Sequence, residues 1–324
     1  MAASSTASQG ALGRLAIKTG TAYAADPAAA NWAAGSPTAW PFTSEGIVKQ
    51  EQILDTQGIR GTRTHSEEQT RAGTYTIGGT LTLTPSPELL ENFLPLILGT
   101  AKDSDGGGSG IDRYTTGESL ILFSLLIDKV GAIFEFRECQ IARAVFTGTK
   151  DQLVSMSLDI QAREQAVEST WQSNIAAIGT SELYDPYVFH DCDIEADGVA
   201  DLPINGFTLT IDNSLDVQHR NTQRPASIVP QDRVVTLSVP VPFNSGNYTE
   251  FYGSTSQTTS QLKMNNGTYR CDFEMGQMSQ TKRTPVVSGK SEIGLMLEYQ
   301  ARATSYVSGT PTSHDIYVDL DSTT

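Results

Sequence analysis

The residues best equipped for chemistry stand in a row at His190-Asp191-Cys192-Asp193-Ile194-Glu195-Ala196-Asp197. Imidazole, thiolate and carboxylate are the usual ligands of zinc, so a metal site is one reading. The spacing favours another. Zinc motifs set their ligands a helical turn apart or on either side of a tight turn, whereas these residues simply alternate. As a strand, the segment puts His190, Cys192 and Ile194 on one face and Asp191, Asp193 and Glu195 on the other. Gly198 then turns the chain.

Other groups fare no better. Asp103 and Asp105 precede a glycine run through Gly110 without the spacing or closing Glu of a calcium loop. The run also lacks the Gly-Lys-Ser/Thr ending of a phosphate loop and reads as a flexible tip. His65, His190, His219 and His314 are scattered, and no Gly-x-Ser-x-Gly elbow accompanies them. Cys139, Cys192 and Cys271 are odd in number and form no CxxC pair, against a disulfide framework or a cysteine zinc site. Cys139 and Cys271 adjoin apolar residues and read as buried core thiols. No catalytic, metal or cofactor residue is assigned, and an enzyme is the least favoured function.

The elements that would carry such groups are mostly strands. Thr80 to Thr84, Val154 to Arg163 and Phe207 to Ile211 alternate with period two, so that Val154, Met156, Leu158 and Ile160 face a core. The polar faces carry Thr80, Thr82, Ser155, Ser157, Asp159 and Gln161, and later Thr236, Ser238, Glu298 and Gln300. One helix is predicted over Pro87 to Gly99. Ser86 caps it, Pro87 suits its first turn and Gly99 stops it, while Pro95 should bend or split it.

An internal repeat organises the chain. Leu158-Asp159-Ile160-Gln161-Ala162-Arg163 returns as Leu297-Glu298-Tyr299-Gln300-Ala301-Arg302. Phe136 to Ile141 is echoed by Tyr269 to Phe273, which pairs Cys139 with Cys271. Thr80 to Leu83 is echoed by Thr236 to Val239, and the helix by a shorter one at 248–254. The division expected is an extended arm at 1–44, a first domain at 45–175, a second at 176–308 and a tail at 309–324. The arm, rich in Ala, Ser and Gly, cannot build a core; Tyr23, Trp32, Trp40 and Phe42 would anchor it on the body or on a neighbour. Two long polar loops, Asp55 to Gly73 and Asp212 to Arg233, suggest contacts with partners. Their candidate residues are Arg60, Arg63, Glu67, Glu68, Arg71, His219, Arg220 and Arg224.

Composition sets the outer limits. The 324 residues, 38% hydrophobic and 18% charged, suit two cores of ordinary size. Lys and Arg number 22 against 37 Asp and Glu, a formal charge of −15. An acidic surplus argues against tight nucleic-acid binding, which needs clustered basic groups. No apolar run is long enough for a membrane span, and the first residues lack the pattern of a secretory signal, so folding in the cytoplasm is expected.

Taken together, the segments Glu138 to Phe146, Val154 to Arg163 and Asn205 to Asp216 resemble the tail tube proteins of long-tailed siphophages. Ser44-Glu45-Gly46 to Gly61 and Gly78 to Leu83 are similar to that family's first half, and the likeness extends over most of 10–305. The resemblance implies a mainly β fold of two duplicated tail-tube-type β-sandwich domains. Each would have a flanking short helix and give strands to an intersubunit barrel. It further implies a structural virion protein of the tail, assembled in the host cytoplasm into stacked rings that conduct DNA at ejection. The partners implied are further copies of the chain, a tape measure protein, and tail terminator or distal tail proteins, with no membrane and no cofactor. The polar strand faces would line a weakly polar or acidic lumen, and the loops would join ring to ring. With the domain present twice, three chains would make a ring of pseudo-six-fold symmetry; the rival is a true hexamer whose second domain projects outward. Competing functions are another virion or contractile-type tube part, a decoration protein, or a sugar-binding β-sandwich.

Overall fold

Alternating residues become strand through most of the chain. The computed structural model describes residues 12–20, 32, 38–55, 64, 67–103, 110–168, 171, 175–177, 185–196, 202–243, 256–257, 260–282, 293–303, 306–307, 310–311 and 314–321. In the first half lie β1 (Arg14–Thr19), β2 (Thr38–Trp40), β3 (Ser44–Glu45), β4 (Val48–Asp55), β5 (Thr70–Leu83), α1 (Pro87–Leu98), β6 (Ile111–Thr115), β7 (Phe123–Asp128), β8 (Ile133–Thr149), β9 (Ser155–Ala162), β10 (Glu164–Glu168) and β11 (Ala176–Ala177). The second half holds β12 (Cys192–Ala196), β13 (Gly206–Asp212), β14 (Asp216–Gln218), β15 (Ser227–Val229), β16 (Val234–Pro242), β17 (Ser256–Gln257), β18 (Ser260–Asn265), β19 (Arg270–Met275), β20 (Gln277–Lys282) and β21 (Gly294–Arg302). After them come β22 (Tyr306–Val307), β23 (Thr310–Pro311) and β24 (Ile316–Asp321).

One antiparallel path, β4-β5-β9-β8-β13-β16-β21-β20-β17, crosses both halves without a break. The strand β8 turns between layers. Its first residues pair with β7 and β10, its last with β9 and β13, and the bend falls at Glu138, whose φ is 50°. A second sheet, β12-β18-β19-β24-β6, packs on the first. Between them lies one core reaching from Leu15 to Leu320, in which the Phe146 and Phe273 rings sit 4.9 Å apart. The fold is thus mainly β, a β-sandwich of the tail-tube type, with no closed barrel among the described residues.

The helix forms where its caps predict. Ser86 accepts a hydrogen bond from the Leu89 N–H, Pro87 opens the first turn, and Gly99 closes it with φ 89°. Pro95 does not split it. The ring costs one backbone bond, and the burial of Leu94, Leu96, Ile97 and Leu98 holds the last turn in place. The shorter helix expected at 248–254 lies outside the described residues.

Pairing registers align the two halves. Gln140 opposite Gln161, Ile141 opposite Ile160 and Arg143 opposite Asp159 correspond to Ser279 opposite Gln300, Gln280 opposite Tyr299 and Lys282 opposite Glu298; one residue is skipped at the same place in both. Likewise Thr43 N–H bonds to Thr82 O in one half and Asn205 N–H to Pro240 O in the other. On this register Leu158 to Arg163 and Leu297 to Arg302 hold matching places.

Two of the other echoes move. The match of Thr80 to Leu83 is Ser238 to Val241, not Thr236 to Val239. A two-residue slip leaves every side chain on its own face, so alternation cannot detect it. The match of Cys139 is Met278, not Cys271.

Further corrections follow from pairing. The first polar loop is shorter than expected, because β4 runs to Asp55 and β5 begins at Thr70; backbone bonds at an edge need no apolar alternation. The second contains its own hairpin, β14 with β15. The strand at 190–195 starts only at Cys192, and His190 stands exposed on the turn before it. Of the expected arm, residues 14–19 pair along their length with β7, and Trp32 and Trp40 are buried on the body; Tyr23 lies outside the described residues. Of the tail, residues 316–321 are core strand between β19 and β6.

Candidate functional site

The polar strand residues fall on one face of the main sheet. Pairing sets them in rows that run across both halves. One row reads Thr82, Ser157, Val145, Thr210, Thr236, Gln300. The next reads Ser155, Thr147, Thr208, Ser238, Glu298. A third reads Thr80, Asp159, Arg143, Asp212, in which Thr80 Oγ1 donates to Asp159 at 2.7 Å. Gln161 lies beyond Asp159, opposite Gly78 and Gln140. The acids Asp159, Asp212 and Glu298 thus share a surface with Arg143, among hydroxyls and amides. A face so composed is wettable and offers phosphate little to hold. Its opposite face, with Leu81, Met156, Leu158, Leu209, Leu237 and Leu297, is core.

The loops behave unequally. The 213–233 segment returns over the first half. Asn213 Nδ2 donates to the carbonyls of Ile97 and Ile141 at 3.0 and 3.1 Å. Arg224 meets Glu164 at 3.4 Å. At the far end the Tyr75 N–H donates to Gln223 O at 3.0 Å, and Gln223 Nε2 to Ala72 O at 3.1 Å. His219 and Arg220 sit in the same turn. The β4 strand of the other loop, by contrast, is exposed from Val48 to Leu54. Arg71 is exposed on its stem opposite Leu54, and Glu67 and Glu68 form a short exposed turn at the start of β5. Arg60 and Arg63 lie outside the described residues. The structure therefore brings the tip of the second loop against the stem of the first.

A buried ion pair sits beneath this contact, where sequence reading had no signal for it. Arg163, 3% exposed, holds Glu138 at the bend of β8 and donates from Nε to Pro225 O at 3.1 Å. A non-glycine residue at positive φ is strained, and the guanidinium supplies what the Glu138 carboxylate needs to be buried there.

The chemical candidates do not converge. Among the described residues no three His, Cys, Asp or Glu side chains gather to hold a metal. All three thiols are buried and unpaired with one another. Burial raises each of them, Cys192 to about 12, which keeps the thiol protonated and poorly nucleophilic. Trp32 and Trp40 are buried and Trp171 lies under the Arg14 guanidinium at 4.5 Å, so none forms the open platform a sugar would need. No helix among the described residues is long and apolar enough to cross a membrane.

In the comparison with known families, the family described as phage tail tube protein aligns with residues 10–301. No curated protein matches the chain.

Proposed function

The chain belongs to the phage tail tube protein family, a structural component of the virion tail, and on that premise we propose that three copies close a ring of pseudo-six-fold symmetry. One observation carries this reading. Within a single chain, β8 of the first half pairs with β13 of the second over Arg143 to Thr149. β13 corresponds to β3 and β4, and β8 to β20, by the registers given above. The seam inside the chain is therefore a template for a seam between chains. Arg143 to Thr149 match 282–288 by register, a stretch that begins at the last residue of β20 and otherwise lies outside the described residues. In one copy this stretch takes the β3–β4 edge of the next. β4 pairs only with β5 among the described strands, which leaves that edge open. Two halves per chain and three chains give six repeats, and a head-to-tail contact of this kind closes by rotation.

In such a ring the polar face is the wall of the lumen, and DNA passes without being held. The segment between β4 and β5, in which Glu67 and Glu68 are exposed, meets the next ring. The protein acts as a conduit and not as an enzyme, assembles in the host cytoplasm, and encloses a tape measure protein before ejection; terminator and distal tail proteins cap the tube. The organisation that fits is two repeats at 45–175 and 176–308 around a shared core, with β1 added to the first and β24 to the second.

Electron cryomicroscopy of tubes grown from purified protein tests the ring directly. The expected cross-section holds three chains; six chains per ring would overturn it. Deleting residues 63–70 should leave rings that do not elongate, and normal tubes from that deletion would contradict the stacking role. Tight retention of duplex DNA at physiological salt would contradict the lumen assignment.

A further inference from the structure

The two long loops leave the main sheet at corresponding places, yet only one has a surface to lie on. The 213–233 loop spans the first half and ends on the stem of the β4–β5 hairpin, with Ile228 1% exposed. Its counterpart, the hairpin itself, is exposed at every residue from Val48 to Leu54. Ile53 is 75% and Leu54 50% exposed; consecutive in β4, they put one apolar side chain on each face of the stem.

The ground beneath the loop shows the same imbalance. In the first half, the Glu138–Arg163 pair is buried under Pro225. The register matches these two with Gln277 and Arg302, which stand opposite each other in β20 and β21. Both are exposed. One half thus carries a covered patch and the other an uncovered patch at the same place in the repeat. One loop is seated, and the described β4 strand of the other is exposed.

Resting on the ring reading, we infer that the β4–β5 stem is a lateral clasp whose occupant is the second half of a neighbouring copy in the same ring. It lies across the ends of β20 and β21, over Gln277 and Arg302, as the 213–233 loop lies over Glu138 and Arg163. Of Ile53 and Leu54, the side chain on the inner face of the stem is buried there as Ile228 is within the chain. Each loop then ends on the root of the next, and six loops link into a belt around one end of the barrel. The stem works within a ring, while the tip is left for the ring above or below.

The test compares three full-length proteins: wild type, the double variant Ile53→Asp with Leu54→Asp, and the 63–70 deletion. Sedimentation velocity over a concentration series reads ring formation, and electron microscopy reads stacking. Thermal unfolding of the unassembled chain confirms that each variant is folded. Both substituted positions are exposed in the single chain, so its melting point should not move. The clasp predicts that the double variant, which changes both faces of the stem, needs a concentration about tenfold or more above wild type to form rings, the effect of losing one buried apolar side chain per contact. The deletion should still form rings. If the aspartates unfold the chain, Ile53→Ser with Leu54→Ser replaces them with the same expectation. Rings from the double variant at wild-type concentration, stacked or not, would overturn the clasp alone. A wild type that forms no ring at all would overturn the ring reading and the clasp with it.

Discussion

The two halves of the chain solve one bend in two ways. In the first, β8 passes from one sheet to the other as a single strand, and the turn is made at Glu138 in a left-handed conformation secured by Arg163. In the second, the same path is cut into β19 and β20 with Gly276 between them. A Cβ on Gly276 would stand 2.5 Å from Arg302 O and 3.0 Å from His314 O, both backbone atoms. One half meets the crowding by removing a side chain. The other accepts backbone strain and offsets it with a buried ion pair. The first solution needs a cover, which the 213–233 loop provides through Pro225. The second needs none within the chain, so its surroundings stay open.

Removing one member of the ion pair should break the first solution. Arg163→Ala leaves the Glu138 carboxylate buried without its partner and should cost about 3–5 kcal/mol. Glu138→Ala with Arg163→Ala should cost less than the sum of the two single changes, because neither charge is then stranded. Urea unfolding measures both; a loss under about 1 kcal/mol for Arg163→Ala would show that the pair does not hold the bend.

The second solution is tested by Gly276→Ala, which should cost about 2–3 kcal/mol through overpacking against fixed backbone. The same assay reads it. A neutral result would mean that the sheets separate easily at this point, and that glycine is not what the bend requires.

A finer contrast lies four residues before Gly276. Asp272 takes the place that Ile133 holds in the first half, and it is 4% exposed. Its Oδ1 finds no hydrogen-bond partner among the described residues, although Arg270 reaches Oδ2 at 2.9 Å. Burial pushes its carboxyl up to about 6, against the lowering pull of Arg270 and Lys263. The folded chain therefore binds this proton more tightly than the unfolded chain. The group favours folding most below about pH 4, and that contribution is lost as pH rises from about 4 to 6. Asp272→Asn should raise stability at pH 7 by about 1–2 kcal/mol and flatten the pH profile across that window. Unfolding at pH 4 and pH 7 checks it; an unchanged difference between the two would refute the assignment.

The smallest effect belongs to α1. Ser86→Ala should cost about 1 kcal/mol by removing the acceptor of the Leu89 N–H. Thermal unfolding suffices, and no change in midpoint would mean that the helix is held by its buried face alone.

Much of this architecture could be read from residues. Val154 to Arg163 shows its strand by alternation, and Ser86, Pro87 and Gly99 mark the helix ends. Sequence could not show the exact match between halves at β5 and β16, since a slip of two preserves every face. Nor could it show that β8 and β13 join the halves into one sheet. Pairing across distant segments leaves no local trace, and the same holds for Arg163, whose partners Glu138 and Pro225 are far away in sequence. The polar faces were legible as alternation, and their union into continuous rows was not. The loops were legible as polar insertions. That one lies on the stem of the other depends on Gln223 meeting Ala72 and Tyr75, which no spacing rule foretells.

The pairing of β6 with β24 bears on time rather than on form. Arg113 and Asp319, joined by two hydrogen bonds of 2.6 Å, are 206 residues apart in sequence. Contacts of such separation close large loops and slow folding, whereas hairpins such as β4–β5 and β18–β19 form from near neighbours. The order of events this separation predicts is local ribbons first and the β6–β24 fastening late. Until that fastening, Tyr114 and Val318 lack the strand partners that help bury them, and a chain caught at that stage would stick to others through the same apolar surface that later becomes its core.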